Sequence, residues 1–260
     1  MAVTDHYAGA AEGWATGAAR VYGPLAADLV AAAPHPLAGR RVLDAGAGTG
    51  LASSALLRAG AQPVAMDLSL DMLRWRRDQR PPAVVGEVGR APLRSGSVDD
   101  AVAAFVLNHL PEPLPALREL ARVVRPGGAV LATVYANSFV SPLRDRIDEI
   151  AFVHGFTYPR WYRAMRQSWA PQLGSEELMA AAARAAGLVR VRAVEHLADV
   201  GLDRAEDLVD YRLGQAHVAD WISGLSPARR AGVRAAAVAA VEPIMRPYRP
   251  GVVRLVAVVP

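Results

Sequence analysis

The segment Val42–Gly50, VLDAGAGTG, constrains this chain more than any other. A β-type apolar run passes directly into glycines at alternate positions, Gly46, Gly48 and Gly50, and then into a helical pattern over Leu51–Ala59 that Gly60 stops. Glycine lets the backbone turn tightly and approach a ligand with no side chain in between. The helix that follows directs unpaired N–H groups and a partial positive charge at the same place. The run is not a phosphate loop, because no GK[ST] follows. Its G-x-G-x-G spacing also differs from the dinucleotide pattern G-x-G-x-x-G, whose third glycine comes one residue later.

Strand and helix patterns then alternate. QPVAMD reads as a second strand ending on Asp67. Ser69 stands as the N-cap of a helix predicted over Leu70–Arg80, closed by Pro81-Pro82. AVVGE and AVAAFVL read as the third and fourth strands. Pro113–Arg125 has helical spacing, stops at RPGG and turns into the strand AVLATVY. Apolar strands separated by helices imply a parallel sheet covered on both faces. Ser175–Ala186 reads as a helix with Ser175 as its cap and Gly187 at its stop, LVRVRAVEH as a strand with one wetter face, and GVVRLVAVV as the last strand. The long stretch Leu202–Tyr248 reads as further helices, with Pro227 at a helix start.

Asp67 is the second element of a site. An acid at the end of the second strand accepts hydrogen bonds from both hydroxyls of a ribose. It would serve a nicotinamide dinucleotide equally, or simply cap a helix, so it points to a nucleoside without saying which.

Four segments together, VLDAGAGTG, AMDLSLDML, VVGEVGRAPLRSGSVDDAVAAFVLNHL and RVVRPGGAVLATVY, resemble the successive motifs of the class I S-adenosylmethionine-dependent methyltransferases, in particular their small-molecule, quinone-methyltransferase-like branch. The resemblance covers roughly residues 41–135. It implies an α/β, Rossmann-like fold with a seven-stranded, mostly parallel sheet, an antiparallel last strand, helices on both faces and helical insertions over the acceptor site. It also implies one domain over residues 1–260: an N-terminal helical cap (1–40), a cofactor-binding core (41–135), an aromatic-rich insert (136–174) and a helical insert (200–248) before the last strand. The implied cofactor is S-adenosylmethionine, leaving as S-adenosylhomocysteine. Its methionine portion maps onto Asp44, Ala45, Gly46, Gly48, Thr49 and Gly50, with Phe105 nearby. Its ribose maps onto Asp67, and its adenine onto Leu68, Met72 and Val88, with Glu87 where the family more often has aspartate. Tyr7, with His6, is placed to close over it, as N-terminal helices in this family often do.

Methyl transfer from a sulfonium draws much of its rate from positioning and desolvation. An oxygen acceptor also needs its proton removed, for which histidine is suited. His109, after the fourth strand, is one candidate base; the alternative is that it only orients that turn. His154, in the aromatic insert, is the other. Ala136–Gly174 with Tyr135 holds eight of the chain's sixteen aromatics. Rings at such spacing serve as core or as a ligand wall. If a wall, Tyr135, Phe139, Trp161, Tyr162 and Trp169 face Trp14, Tyr22 and Tyr7 across an apolar or aromatic acceptor, as in natural-product biosynthesis.

Composition narrows the partners. The net charge is +4, carried by arginines without a single lysine and dispersed among acids as in RDRIDEI, which argues against nucleic acid. The absence of cysteine excludes disulfides, thiolate metal sites and cysteine nucleophiles. No histidine and acid cluster has metal-ligand spacing, so no metal is expected. No apolar stretch is long enough to cross a bilayer, and Thr4, Asp5 and His6 interrupt any leader-like pattern. A cytoplasmic monomer or homodimer acting on a small molecule, with no membrane or nucleic-acid partner, fits these readings. Three others stay open: a methyltransferase-like protein that binds the cofactor but catalyses a cyclisation or other non-methylating reaction, a nicotinamide oxidoreductase, and a noncatalytic binding protein.

Overall fold

The computed structural model describes residues 5–260. Seven strands form one sheet: β1 (Arg41–Ala45), β2 (Gln62–Asp67), β3 (Ala83–Val85), β4 (Asp100–Ala104), β5 (Ala129–Tyr135), β6 (Val189–Leu197) and β7 (Gly251–Val258). Their order is β3-β2-β1-β4-β5-β7-β6. The first five pair in parallel, and β7 runs antiparallel between β5 and β6. The implied Rossmann-like sheet with an antiparallel last strand is therefore observed. The chain moves outward from β1 to β2 and β3, then returns to place β4 on the other side of β1. That reversal opens a crevice at the carboxyl ends of β1 and β4, where ligands bind in such sheets.

Alternate strand residues feed two cores, as the period of two requires. Leu43, Ala45, Ala101, Ala103, Val130 and Ala132 face α4 (Pro113–Val123) and α7 (Glu176–Ala185). Val42, Val102, Ala129 and Leu131 face α1 (Ala19–Ala31) and α2 (Leu51–Arg58). In α4 the buried residues Ala116, Leu117, Leu120 and Val123 recur at helical spacing on one stripe. Gly60 and Gly187, at φ +76° and +87°, close α2 and α7 as their sequence positions imply. In each case the glycine N–H and the next N–H bond back to helix carbonyls, the double bond that defines a Schellman stop.

The helix expected over Leu70–Arg80 is shorter. α3 spans Leu70–Arg74 under the Ser69 cap, and Arg76 turns left-handed at φ +46° into a 3₁₀ turn, Arg77–Gln79. The Arg80 guanidinium folds back and donates to the carbonyls of Met72 and Leu73 at 2.9 and 2.8 Å. Among the described residues the Leu73 carbonyl would otherwise lack a partner, and the Met72 carbonyl would keep only the Trp75 N–H.

A third core lies above the crevice. It joins α1 to α5 (Pro142–Val153), α8 (Ala205–Leu213) and α10 (Pro227–Val241) through Leu25, Ile147, Leu208 and Val241. Ala11–Gly13 and a π-helical turn, Trp14–Ala18, lead into α1. There Gly17 meets α8 so closely that an added Cβ would collide with the Asp210 carbonyl. Two shorter helices, α6 (Arg160–Ala164) and α9 (Ala216–Gly224), complete this layer. No helix among the described residues is long and apolar enough to cross a membrane.

Candidate active site

The glycine turn is shaped by its neighbours. Gly46, at φ +71°, lies against Val106, and an added Cβ would come 2.5 Å from that side chain. The N–H groups of Gly46 and Ala47 both bond to the Met66 carbonyl of β2, which folds the turn against the adjacent strand. Gly48, at φ +51°, has nothing within 4 Å of where a Cβ would stand and lines the cavity. Its N–H donates to Asp67 Oδ2 at 2.7 Å, while Ser69 N–H donates to Oδ1 at 2.8 Å. Asp67 is thus oriented by backbone, and each oxygen keeps lone pairs for a ligand. Burial raises its pKa, against these two bonds.

Asp44, one residue before β1 ends at Ala45, is fully buried. Oδ2 accepts from Ser53 at 2.6 Å, whereas Oδ1 has no partner among the described residues. Burial pushes this carboxyl up to about 6. An enclosed carboxylate oxygen without a donor fits a ligand that brings a cation or N–H of its own. Arg80 completes the loop by donating to the Gly48 carbonyl at 3.1 Å, and its charge favours ionised Asp44 and Asp67.

Asp44, Gly46, Ala47, Gly48 and Asp67 line one cavity of about 270 Å³ over the switch point. Of the residues expected to hold a nucleoside cofactor, Tyr7, Asp44, Gly46, Gly48, Asp67, Leu68, Met72, Glu87, Val88 and Phe105 line it. Ala45, Thr49 and Gly50 do not. Ala45 is fully buried in the sheet, and Gly50, at φ +97°, turns the loop into α2. Phe105 is itself at φ +57°, a conformation costly for a bulky residue. Lining residues not anticipated from the sequence include Asp5, Leu51, Ala52, Ser69, Val106 and Leu110. Arg80 was not anticipated either; one arginine among 29 Lys/Arg positions carries no local signal.

At the other end the lining is aromatic. Trp14, Tyr22, Trp161 and Trp169 line the cavity with His109. Trp14 stacks on Tyr22 at 4.7 Å, Tyr22 meets Phe105 edge-on at 5.0 Å, and His6 stacks on Trp161 at 4.7 Å. The Tyr7 hydroxyl lies 3.2 Å from Nε2 of His109. Burial, with the nearby His6 charge, lowers the imidazole pKa to about 4, so it is neutral at physiological pH.

Three expected wall residues stand one layer back. Tyr135 bonds the Tyr211 hydroxyl at 2.9 Å, Phe139 packs on Tyr248, and Tyr162 stacks on His217 at 3.7 Å. They are absent from the lining because helical packing turns their rings inward. His154 also lies outside it. Gly155 and Phe156 make a Schellman stop at the end of α5, so Phe156 enters the core and His154 is left at the helix terminus.

Behind the wall runs a buried polar network. Arg212, 2 % exposed, donates from Nε and Nη2 to Asp148 at 2.7 and 2.6 Å and from Nη1 to Tyr162 and Gln215. Gln215 then donates to the Tyr22 hydroxyl at 3.2 Å. This chain holds Tyr22 where it lines the cavity.

Comparison with known proteins agrees with this geometry. A methyltransferase domain family matches residues 43–132. The demethylmenaquinone methyltransferase of Renibacterium salmoninarum is 35% identical over 130 residues, which is 49% of this chain and 53% of that protein. The chain spans about half the length of the curated relatives it matches. Among solved structures, Haemonchus contortus phosphoethanolamine N-methyltransferase 2, in complex with phosphomonomethylethanolamine and S-adenosylhomocysteine, is 18% identical with a TM-score of 0.58, covering 91% of this chain and 52% of that one. The [4+2]-cyclase SpnF is 20% identical with a TM-score of 0.54, covering 93% and 81%. At these identities the structures speak for the fold alone. Residues 43–132 match the methyltransferase domain family, and they lie on a seven-stranded, Rossmann-like sheet.

Proposed function

We propose that this protein binds S-adenosylmethionine in the cavity over the switch point and transfers its methyl group to a small, apolar or aromatic metabolite. The observation that carries the reading is the convergence, in one cavity, of the glycine turn, Asp67, the unpartnered Asp44 Oδ1 and an aromatic far end. When bound, the cofactor supplies a methyl group activated on a sulfonium.

In this reading Asp44 and the turn at Gly46–Gly48 hold the methionine portion, with Ala45, Thr49 and Gly50 shaping that turn from behind, Asp67 the ribose, and Leu68, Met72 and Val88 the adenine, with Glu87 towards its amine. Phe105 and Tyr7 lie beside the reacting end. Trp14, Tyr22, Trp161 and Trp169 enclose the acceptor and exclude water, which aligns the reactants and strengthens local electrostatics. Neutral His109 takes the proton of an acceptor hydroxyl at Nε2, the atom Tyr7 now faces. The name of the demethylmenaquinone methyltransferase relatives supports a quinone-like small-molecule acceptor. The proposal extends to natural-product biosynthesis, carried out in the cytoplasm by one domain acting as a monomer or homodimer, with no nucleic-acid or membrane partner.

The test is calorimetric titration with S-adenosylhomocysteine of wild type and Asp67→Ala. Micromolar binding, lost in the variant, supports the reading; no binding by folded wild type sinks it. An acceptor screen that yields S-adenosylhomocysteine and a methylated product then separates transfer from a non-methylating reaction.

A further inference from the structure

A buried ion pair stands behind the aromatic lining and is joined by hydrogen bonds to two separate parts of it. Arg212 in α8 is 2 % exposed and Asp148 in α5 is 5 % exposed. The guanidinium meets the carboxylate as a fork, from Nε to Oδ1 at 2.7 Å and from Nη2 to Oδ2 at 2.6 Å. Burial works against the Asp148 carboxylate, but the charge and hydrogen bonds of Arg212 outweigh it and hold the pKa below its usual value. The pair is therefore ionised at neutral pH. Such a pair loses much of its attraction to lost hydration, and apolar residues of similar volume often serve stability as well or better. Stability alone does not account for it.

The remaining nitrogen, Nη1, donates to Gln215 Oε1 and to the Tyr162 hydroxyl, the latter at 3.2 Å. A guanidinium has only donors, so the Gln215 amide must turn its oxygen to Arg212 and its Nε2 elsewhere. Nε2 donates to the Tyr22 hydroxyl at 3.2 Å. Tyr22 lines the cavity and stacks on Trp14, which lines it too. On the other branch, Tyr162 meets Trp161 edge-on at 5.7 Å. Trp161 in α6 and Trp169, at the end of the π-helical turn Met165–Trp169, line the cavity from that segment. Trp14 opens a π-helical turn of its own, a rare form that is frequent at functional sites. One enclosed guanidinium is thus bonded towards lining residues from two distant parts of the chain.

We infer that the Arg212–Asp148 pair, through Gln215 and Tyr162, fixes these two parts of the aromatic wall relative to each other and so makes the cavity selective for a flat aromatic acceptor over a globular one. The inference rests on the cavity's reading as a cofactor and acceptor site and adds what determines the choice of acceptor. An apolar wall tells ligands apart by shape only as far as it refuses to move, because a wall that yields accommodates either shape. The rings of Trp14, Tyr22, Phe105, Trp161 and Trp169 offer faces and edges on which another flat ring packs well. Arg212, Asp148, Gln215 and Tyr162 do not line the cavity and act as positioning residues.

The experiment uses 2-naphthol and 1-adamantanol, which have the same number of carbons and one hydroxyl each, the first flat and the second globular. Each is titrated calorimetrically into protein saturated with S-adenosylhomocysteine. Wild type is expected to bind the flat alcohol about tenfold or more tightly than the globular one. Gln215→Leu cuts the link to Tyr22, and Asp148→Leu/Arg212→Met/Gln215→Leu exchanges the network for apolar side chains without leaving a buried charge. Both are expected to lose most of the preference while binding S-adenosylhomocysteine as wild type does, and the triple variant to unfold at a midpoint close to that of wild type. Gln215→Glu still accepts from Arg212 and now accepts from the Tyr22 O–H, so it keeps the preference. Equal affinities in wild type, no binding of either alcohol by protein that holds S-adenosylhomocysteine, or a preference that survives Gln215→Leu would each overturn the proposal. A triple variant that loses stability but keeps the preference would overturn it too, and would make the pair merely structural. Failure of wild type to bind S-adenosylhomocysteine would instead overturn the reading beneath it.

Discussion

The hydroxyl of Tyr7 meets Nε2 of His109 at 3.2 Å, joining residues 102 positions apart across the aromatic end of the cavity. The Tyr7 O–H donates in the tautomer whose Nε2 carries no proton, and burial keeps the imidazole neutral. A base that already has its lone pair free needs no prior deprotonation. The contact also ties the N-terminal segment to the turn after β4, so Tyr7 covers the atom proposed to do proton chemistry.

The methyl-transfer rate is expected to be independent of His109 titration above about pH 5, with the corresponding acid limb near pH 4 and not near the usual 6.5. His109→Gln should lower kcat by about 10²–10⁴-fold for an oxygen acceptor. The linkage has a definite sign. The folded pKa lies below the unfolded one, so the unfolded chain binds more protons between about pH 6.5 and 4, and stability falls on acidification through that window. Denaturant unfolding of wild type and His109→Gln over this range checks the difference; parallel curves would show that His109 is not buried neutral.

Asp44 titrates in the opposite sense. Its folded pKa, near 6, means that the carboxyl is protonated in mildly acidic solution unless a ligand brings positive charge. Affinity for S-adenosylhomocysteine should therefore fall as pH drops below about 6, and Asp44→Asn should bind weakly with that dependence removed. Calorimetry at pH 5, 6, 7 and 8 reads both, and an unaltered pH dependence in the variant would assign it to another group.

Replacement of Arg80 tests whether the loop is held from outside. Its donors reach the carbonyls of Gly48, Met72 and Leu73. Arg80→Ala leaves the Gly48 and Leu73 carbonyls unpaired and Met72 with only the Trp75 N–H, with an expected loss of about 1–3 kcal/mol in stability. Affinity for S-adenosylhomocysteine should fall with it, because Gly48 and Asp67 are bonded to each other. Thermal unfolding and calorimetry measure the two effects, and stability lost without any change in affinity would separate the arginine from the site.

The crossing of the N-terminal helical segment with α8 depends on Gly17. Gly17→Ala places a methyl group against the Asp210 carbonyl and should destabilise by about 1–3 kcal/mol. Gly23, in α1, has open space at its Cβ position, and Gly23→Ala should stabilise by about 0.5–1 kcal/mol. Opposite shifts in denaturation midpoint are expected; shifts of the same sign would mean that helix propensity, not the crossing, decides.

What was legible in the sequence was local or periodic. The strand VLDA, the glycine turn and Leu51 onward form one covalent run, and Gly60 and Gly187 lie where their left-handed conformations stop helices. The helix over Leu70–Arg80 was misjudged because Arg80 bonds its carbonyls from beyond its end, a contact no window of propensity contains. His154 lies outside the cavity lining for a similar reason, since the turn at Gly155 commits Phe156 to the core.

By itself the sequence determined the α/β sheet, the switch-point loop and the acid after β2, because alternation of apolar runs with glycine turns leaves the backbone one economical way to satisfy its hydrogen bonds. Only the tertiary structure decided which aromatics face the cavity. Trp14, Tyr22, Trp161 and Trp169 do, while Tyr135, Phe139 and Tyr162 stand behind them. It also decided that Asp148 pairs with Arg212, 64 residues away. Those outcomes depend on how α5, α8 and α9 pack above the sheet, and a side chain's partners across such distances follow from the competition of all the helices for the same buried space.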